Sequence, residues 1–345
     1  MNNQEQEYEM GMDEVTRGMT GAMTGARTDT CPIKQKIARH LLSFGKREVR
    51  LGVGCAWYGR QDDYRETLDH DLRVLMACYE KGFRYYDTSR QYGNSEQSVG
   101  EFVKHVPRES IFLATKSSFP IVEDTHKRDF KRFSNNFYES FERLQTDHID
   151  LFQIHDTDHF ECCVEEVIPF LVERKREGLI SYIGTGTLSL NAHELAVRSG
   201  QVNSVLSYLN YSLLKKSAGH VIDVCREFGA AFVNASVFHY GLLRAEDPMK
   251  HRCEYNPPHM ARNREMTVSL QALCRKQNVP ILAAALQYSL LNPDIDMTLV
   301  GINRMENLVS TFESLSEAIH PEQWAEIFAL QEKQPYMYVQ DDLHG

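Results

Sequence analysis

The chain has 345 residues, enough for a large core, and carries a formal charge of −10 with a pI near 5.8. That balance excludes a general nucleic-acid binder, whose footprint is basic, and no apolar run reaches the roughly 18 residues of a membrane span. Its eight cysteines lack zinc-type CxxC pairs, and several (Cys55, Cys78, Cys274) sit in apolar contexts. They read as free buried thiols in a reducing, cytoplasmic compartment.

In chain order, residues 1–36 are expected to form a disordered tail. Met1–Arg27 is poor in aliphatics and holds the near-repeat MTGAMTGA. It has no apolar h-region, and its early acidic residues oppose a mitochondrial presequence. Methionines at 10, 12, 19 and 23 raise the hypothesis of a downstream start, which a native peptide beginning at Met1 refutes. A single barrel domain is expected over 37–335, then a short tail, 336–345. Ile37–Phe44 and Arg47–Arg50 read as a hairpin that plugs the bottom of the domain.

Next, β-type runs alternate with helical patterns, the signature of βαβ units. The strands are Leu51–Ala56, Phe83–Asp87, Ile111–Lys116, Ile149–His155, Ile180–Thr185, Val202–Tyr208, Ala230–Ser236 and Met297–Gly301. Helices are expected between them, including Leu68–Lys81, Ser95–His105 and Asp129–Gln145. In the last of these Phe133, Phe137, Phe141 and Leu144 make one apolar stripe, read as core. Arg244–Arg264, with three prolines, reads as a long functional or mobile loop. Glu322–Glu332 is an extra C-terminal helix. Eight strands with intervening helices, and no GxGxxG after the first strand, favour an α/β (β/α)8 TIM barrel over an open doubly wound sheet.

A barrel of this kind builds its site at the carboxyl ends of its strands. Asp87 ends the second strand, Tyr92 lies on the loop after it, Lys116 ends the third and His155 the fourth. Taken singly these are ordinary turn, packing or surface residues. Together they make an acid–base set. A nearby ammonium favours the phenolate and lowers a phenol pKa that is otherwise near 10. The carboxylate holds the ammonium, and the imidazole hydrogen-bonds the reacting oxygen. Trp57, on the rim after the first strand, is placed as a wall of the substrate pocket or as ordinary loop packing. The fourteen histidines are dispersed and no metal site is expected.

Three further rim stretches suit a dinucleotide. Around Gly186 and Thr187, glycines let the chain approach a flat ring. Ser236 to Gly241 follows the seventh strand. Gly301, Asn303 and Arg304 lead into a helix whose N-terminus favours phosphate.

The order Asp87, Tyr92, Lys116, His155 resembles the aldo-keto reductase superfamily. The segments His155–Asp158, Ser207–Tyr211, Ala285–Leu290 and Thr298–Gly301 resemble its L-galactose and D-threo-aldose 1-dehydrogenase branch. The resemblance spans roughly Arg50–Glu317. It implies an oxidoreductase that moves a hydride between a small molecule and NAD or NADP, most simply oxidising an aldose at C1 to the lactone. It also implies carboxamide contacts near Gly186 and Thr187 and pyrophosphate contacts at Ser236 and Gly241. Only Arg304 is basic where NADP-preferring members carry a Lys and an Arg, which slightly favours NAD. The alternatives are an NADPH-dependent aldehyde, ketone or pyridoxal reductase, and a nucleotide-binding redox-sensing subunit with little turnover. The expected partner is a small sugar or aldehyde, with no nucleic acid and no membrane, in a monomer or small homo-oligomer.

Overall fold

Every residue of Ile149–His155 is buried, as a strand must be when one face lines a barrel and the other carries helices. The computed structural model describes residues 31–60, 65–120, 128–155, 160–252 and 260–334. In it eight parallel strands close into one barrel: β3 (Leu51–Gly54), β4 (Tyr85–Asp87), β5 (Phe112–Ser118), β6 (Ile149–His155), β7 (Ile180–Thr187), β8 (Ser204–Tyr208), β9 (Ala231–Ala235) and β10 (Met297–Gly301). They neighbour one another in chain order, and β10 returns to pair with β3. The expected TIM barrel is thus formed; two strands match to the residue and the other six have an end shifted by one or two residues.

Side chains alternate across a strand, and that alternation sorts the barrel. Tyr85, Phe112, Ala114, Leu151, Leu206, Val233, Met297 and Leu299 gather in one interior cluster. Tyr85 stacks on Phe112 with ring centroids 4.6 Å apart. Gly52 completes this floor, because a Cβ there would meet the Tyr85 ring and Leu299 at 3.0 Å. Continuing the same faces by two residues toward the carboxyl mouth brings Asp87 after Tyr85, Lys116 after Ala114, and Gln153 then His155 after Leu151. The polar layer is therefore the next storey of the same interior.

The outer faces of the strands pack on helices. The helix Phe130–Leu144 buries Phe133, Phe137 and Leu144 and packs Phe141 partly. Phe137 lies 4.7 Å from the ring of Phe152 on β6. Its start is capped by Asp129, whose carboxylate accepts from the Arg132 N–H at 2.8 Å. Gln145, in the left-handed conformation (φ 52°), ends it. Arg50 ties the end of the helix Ile281–Leu291 and the loop after it to the barrel: its guanidinium donates to the carbonyls of Leu290, Asn292, Pro293 and Ile295 at 2.6–2.9 Å. The extra C-terminal helix is Pro321–Gln331, with Trp324 buried.

Two boundaries need correction. The stretch read as tail to residue 36 contains a helix, Pro32–Ala38, whose Ile33 and Ile37 are buried against the barrel-interior cluster. Two isoleucines four residues apart were the available signal. The hairpin follows as β1 (Leu42–Phe44) and β2 (Arg47–Val49), with Phe44 against Phe312 at 5.6 Å. The helix thus shares in closing the barrel bottom. A helix, Met260–Lys276, begins inside the Arg244–Arg264 stretch read as a loop, so part of that stretch is helical. Residues 1–30, 253–259 and 335–345 lie outside the described residues, as do Asp156, Thr157 and Asp158.

Among the described residues no helix is long and apolar enough to cross a membrane. Seven cysteines are free thiols there, and no group of three or more His, Cys, Asp or Glu is arranged to hold a metal ion.

Candidate active site

Asp87 is the last residue of β4 and Lys116 stands beside it on β5, whose Ala114 pairs with Asp87. Both side chains are buried. The Lys116 ammonium donates to Asp87 Oδ1 and, at 2.8 Å, to the Thr88 carbonyl. The other carboxylate oxygen accepts from Gln153 Nε2 at 2.9 Å. Burial pushes the Asp87 carboxyl upward, and the Lys116 charge and the two hydrogen bonds hold it back. A buried pair of this kind is stable only because each ion has its partners.

Tyr92 and His155 join the pair. The Lys116 ammonium lies 5.0 Å from the centroid of the Tyr92 ring, close enough for its charge to act on the phenol. The Tyr92 and His155 rings meet edge to face, 5.5 Å apart and 88° to one another. His155, at the last position of β6, is buried. Desolvation first and the Lys116 charge second drive its pKa well below the ordinary imidazole value. Both favour the neutral imidazole. Its Nδ1 lies 2.9 Å from Ser89 Oγ and 3.2 Å from Gln91 Oε1.

Fixed neighbours hold the loop that carries Tyr92. Gly59 has φ +58°, and a Cβ on it would lie 2.4 Å from the Asn94 carbonyl carbon, so only glycine lets the two loops touch. Asn94 N–H donates to the Gly59 carbonyl at 3.1 Å. Arg143 donates to the Gly93 carbonyl and to Glu96 Oε2, the latter at 3.2 Å. Glu96 is fully buried and also accepts from Thr115 at 2.7 Å. Gly100 lets this helix meet the next, since a Cβ there would fall 2.1 Å from the Arg143 carbonyl oxygen.

The remaining candidates fall on the same mouth, in different settings. Gly186 lies on β7 beside His155, and a Cβ on it would be 3.0 Å from Lys116 Cδ. Its bare backbone therefore makes room for the lysine stem. Thr187 is buried, and its hydroxyl accepts from the Ser189 N–H at 3.2 Å. Ser236, His239, Tyr240 and Gly241 all have positive φ, between 51° and 81°. Within it the N–H groups of His239, Gly241 and Leu242 donate to the carbonyls of Ser236, Phe238 and His239 at 2.8–3.1 Å. Gly301 ends β10, with Trp57 against it: a Cβ on the glycine would sit 3.5 Å from Trp57 Cδ1. Trp57 is 43 % exposed, and Arg60 covers its ring at 4.7 Å. Asn303 spends its side-chain oxygen on Asn307 at 2.9 Å, and Arg304 is the exposed N-cap residue of the helix Met305–Ser316.

Several site residues were missed from the sequence. Gln153 lies inside the largely apolar strand Ile149–His155, two positions before His155 and so on its face. Its Oε1 has no hydrogen-bond partner among the described residues and lies 3.7 Å from where a Gly186 Cβ would be. Ser89 and Gln91 lie in the same stretch as Tyr92. His193 holds the end of β7 from behind, with Nδ1 2.9 Å from Thr185 Oγ1 and Nε2 3.0 Å from the Thr187 carbonyl.

A closed parallel barrel with a buried carboxylate–ammonium pair, a phenol and an imidazole at one mouth fits a barrel oxidoreductase. The chain belongs to the aldo/keto reductase family, whose profile matches residues 50–332. It is 31% identical to D-threo-aldose 1-dehydrogenase of Pseudomonas sp over 80% of this chain and 92% of that protein. It is 29% identical to L-galactose dehydrogenase of Arabidopsis thaliana, over 76% and 85% of the two chains. Among solved structures, the holo form of an aldo-keto reductase from Bacillus halodurans superposes with a TM-score of 0.67 at 24% identity, covering 84% of this chain and 95% of that one. An aldo/keto reductase from Klebsiella pneumoniae, solved with NADP and acetate, gives 0.64 at 16% identity, covering 88% and 99%.

Proposed function

We propose that this protein oxidises an aldose at C1 to the lactone with a nicotinamide dinucleotide as hydride acceptor. The carrying observation is the meeting of Asp87, Lys116, Tyr92 and His155 at one barrel mouth. The similarity to two sugar 1-dehydrogenases supports the choice of substrate class.

In this reading Tyr92 takes the proton of the anomeric hydroxyl, because the Lys116 ammonium beside its ring favours the anionic phenol. Asp87 and the Thr88 carbonyl fix that ammonium, and Gln153 fixes Asp87. His155 orients the substrate by a hydrogen bond. In the reverse direction the same tyrosine gives its proton to a carbonyl. The bound nicotinamide supplies the hydride chemistry.

The chain's residues fit such a group. Gln153 Oε1, an orphaned acceptor beside Gly186, suits a carboxamide donor. The left-handed turn Ser236–Gly241 suits a pyrophosphate, and Gly301, Asn303 and Arg304 suit the adenosine end. Trp57, packed on Gly301, walls the substrate side. With Arg304 the one basic residue of that helix start, NAD is favoured over NADP. A cytoplasmic enzyme acting as a monomer or small homo-oligomer is the accompanying expectation.

The test is absorbance at the reduced-nicotinamide band with a panel of aldoses, aldehydes and aryl alcohols, run in both directions with NAD and NADP in parallel. Aldose oxidation with NAD as the better cofactor is the expected result. Turnover confined to aldehyde reduction with NADPH overturns it.

A further inference from the structure

Gln153 stands in the middle of the buried polar layer. Across the sheet it pairs with Lys116 on β5 and with Gly184 on β7, and its side chain is fully buried. Two glycines of β7 clear its path. A Cβ on Gly184 would lie 3.1 Å from Gln153 Cγ, and one on Gly186 would lie 3.7 Å from Gln153 Oε1.

Asp87 sets which way the Gln153 amide faces. Its carboxylate, paired with the Lys116 ammonium, only accepts. The Gln153 atom 2.9 Å from Asp87 Oδ2 is therefore the nitrogen. The oxygen is left beside Gly186 with no hydrogen-bond partner among the described residues. A buried amide oxygen without a donor is costly, and bulk water does not reach it. Its donor then comes with a group bound in the site. A nicotinamide ring is flat, which suits the bare backbone of Gly186, and its carboxamide carries two N–H donors.

We infer that Gln153 joins the cofactor carboxamide to the Asp87–Lys116 pair: Asp87 fixes the direction of the amide, and the oxygen so presented selects a dinucleotide whose ring bears an N–H donor. This deepens the nicotinamide part of the proposed function and rests on that part alone, not on the choice of substrate. Asp87 acts here as a positioning residue, through Gln153. An acetyl group in place of the carboxamide keeps the oxygen and loses both N–H donors, so it leaves Gln153 Oε1 buried and unpaired. Asp87→Asn reverses the arrangement. Lys116 only donates, so the new side chain turns its oxygen to Lys116 and its NH2 to Gln153. Gln153 then turns its oxygen to that NH2 and offers Nε2 beside Gly186, where a carboxamide oxygen and an acetyl oxygen serve alike.

The experiment reads dinucleotide binding rather than turnover. Isothermal titration calorimetry on the full chain gives Kd for NAD and for its 3-acetylpyridine analogue, with the NADP pair run in parallel. In the wild type the analogue is expected to bind more weakly by roughly tenfold or more. In Gln153→Leu and in Asp87→Asn that ratio should shrink toward one. A merely structural role would weaken both dinucleotides together and leave the ratio in place. A ratio near one in the wild type, or an undiminished ratio in Gln153→Leu, overturns the inference. Should that variant fail to fold, the wild-type ratio and Asp87→Asn decide it, and an unchanged ratio in Asp87→Asn overturns the orienting role of the carboxylate. A protein that binds no nicotinamide dinucleotide loses this inference together with the proposed cofactor. The expected ratios in a protein that oxidises no aldose discard the substrate class and keep the role of Gln153.

Discussion

Lys116→Met isolates the buried ion pair. It keeps most of the stem beside Gly186 and removes the ammonium, leaving Asp87 with Gln153 Nε2 as its remaining side-chain donor. Breaking a buried pair from one side costs about 3–5 kcal/mol, because the other charge stays desolvated. That cost depends on pH in a definite direction. Burial already raises the Asp87 carboxyl, and Lys116 is the largest influence opposing it. In the variant the folded-state pKa therefore rises further above the unfolded value of about 3.9. A raised carboxyl pKa stabilises the fold while the group is protonated, and the benefit is lost as pH rises through the folded pKa. Urea unfolding of wild type and variant between pH 5 and 8 should show the largest gap at pH 8, narrowing toward pH 5. Adding Asp87→Asn to Lys116→Met should recover part of the loss at pH 8. A gap under about 1 kcal/mol at pH 8, or one that does not change with pH, refutes the reasoning.

Gly186→Ala should lower turnover and leave the fold nearly intact. The new Cβ, 3.0 Å from Lys116 Cδ, displaces a stem whose tip is held by Asp87 and Thr88; steady-state kinetics with a thermal melt separates the two effects. Gly100→Ala should cost about 1–3 kcal/mol in urea unfolding, because its Cβ falls 2.1 Å from a backbone oxygen that cannot rotate away. His193 is held down to about 4 by burial, against an ordinary 6.5. Its neutral form supports the fold above pH 6.5, and that support drains away as pH falls toward 4, up to roughly 3 kcal/mol. His193→Gln should flatten this part of the stability-against-pH curve, measured by urea unfolding.

Much of the barrel was legible because strand period and helix period differ, and the strand ends carried their own chemistry. Ile149–His155 was read to the residue, since a strand buried on both faces leaves a near-continuous apolar run, here interrupted by Asp150 and Gln153, with a polar end. Asp87, Tyr92, Lys116 and His155 stood out by position along the chain, and the structure brings their side chains together. Gln153 was hidden by the same apolar run that revealed His155. The helix Pro32–Ala38 was lost because seven residues carry little periodic signal, and its burial is set by the barrel floor.

The central claim is that Tyr92 moves the proton. Tyr92→Phe keeps the ring against His155 and Lys116 and removes only the hydroxyl. Single-turnover formation of reduced nicotinamide from an aldose should fall by about two to four orders of magnitude, while cofactor binding, followed by protein fluorescence, is retained. Near wild-type turnover in that variant would contradict the account.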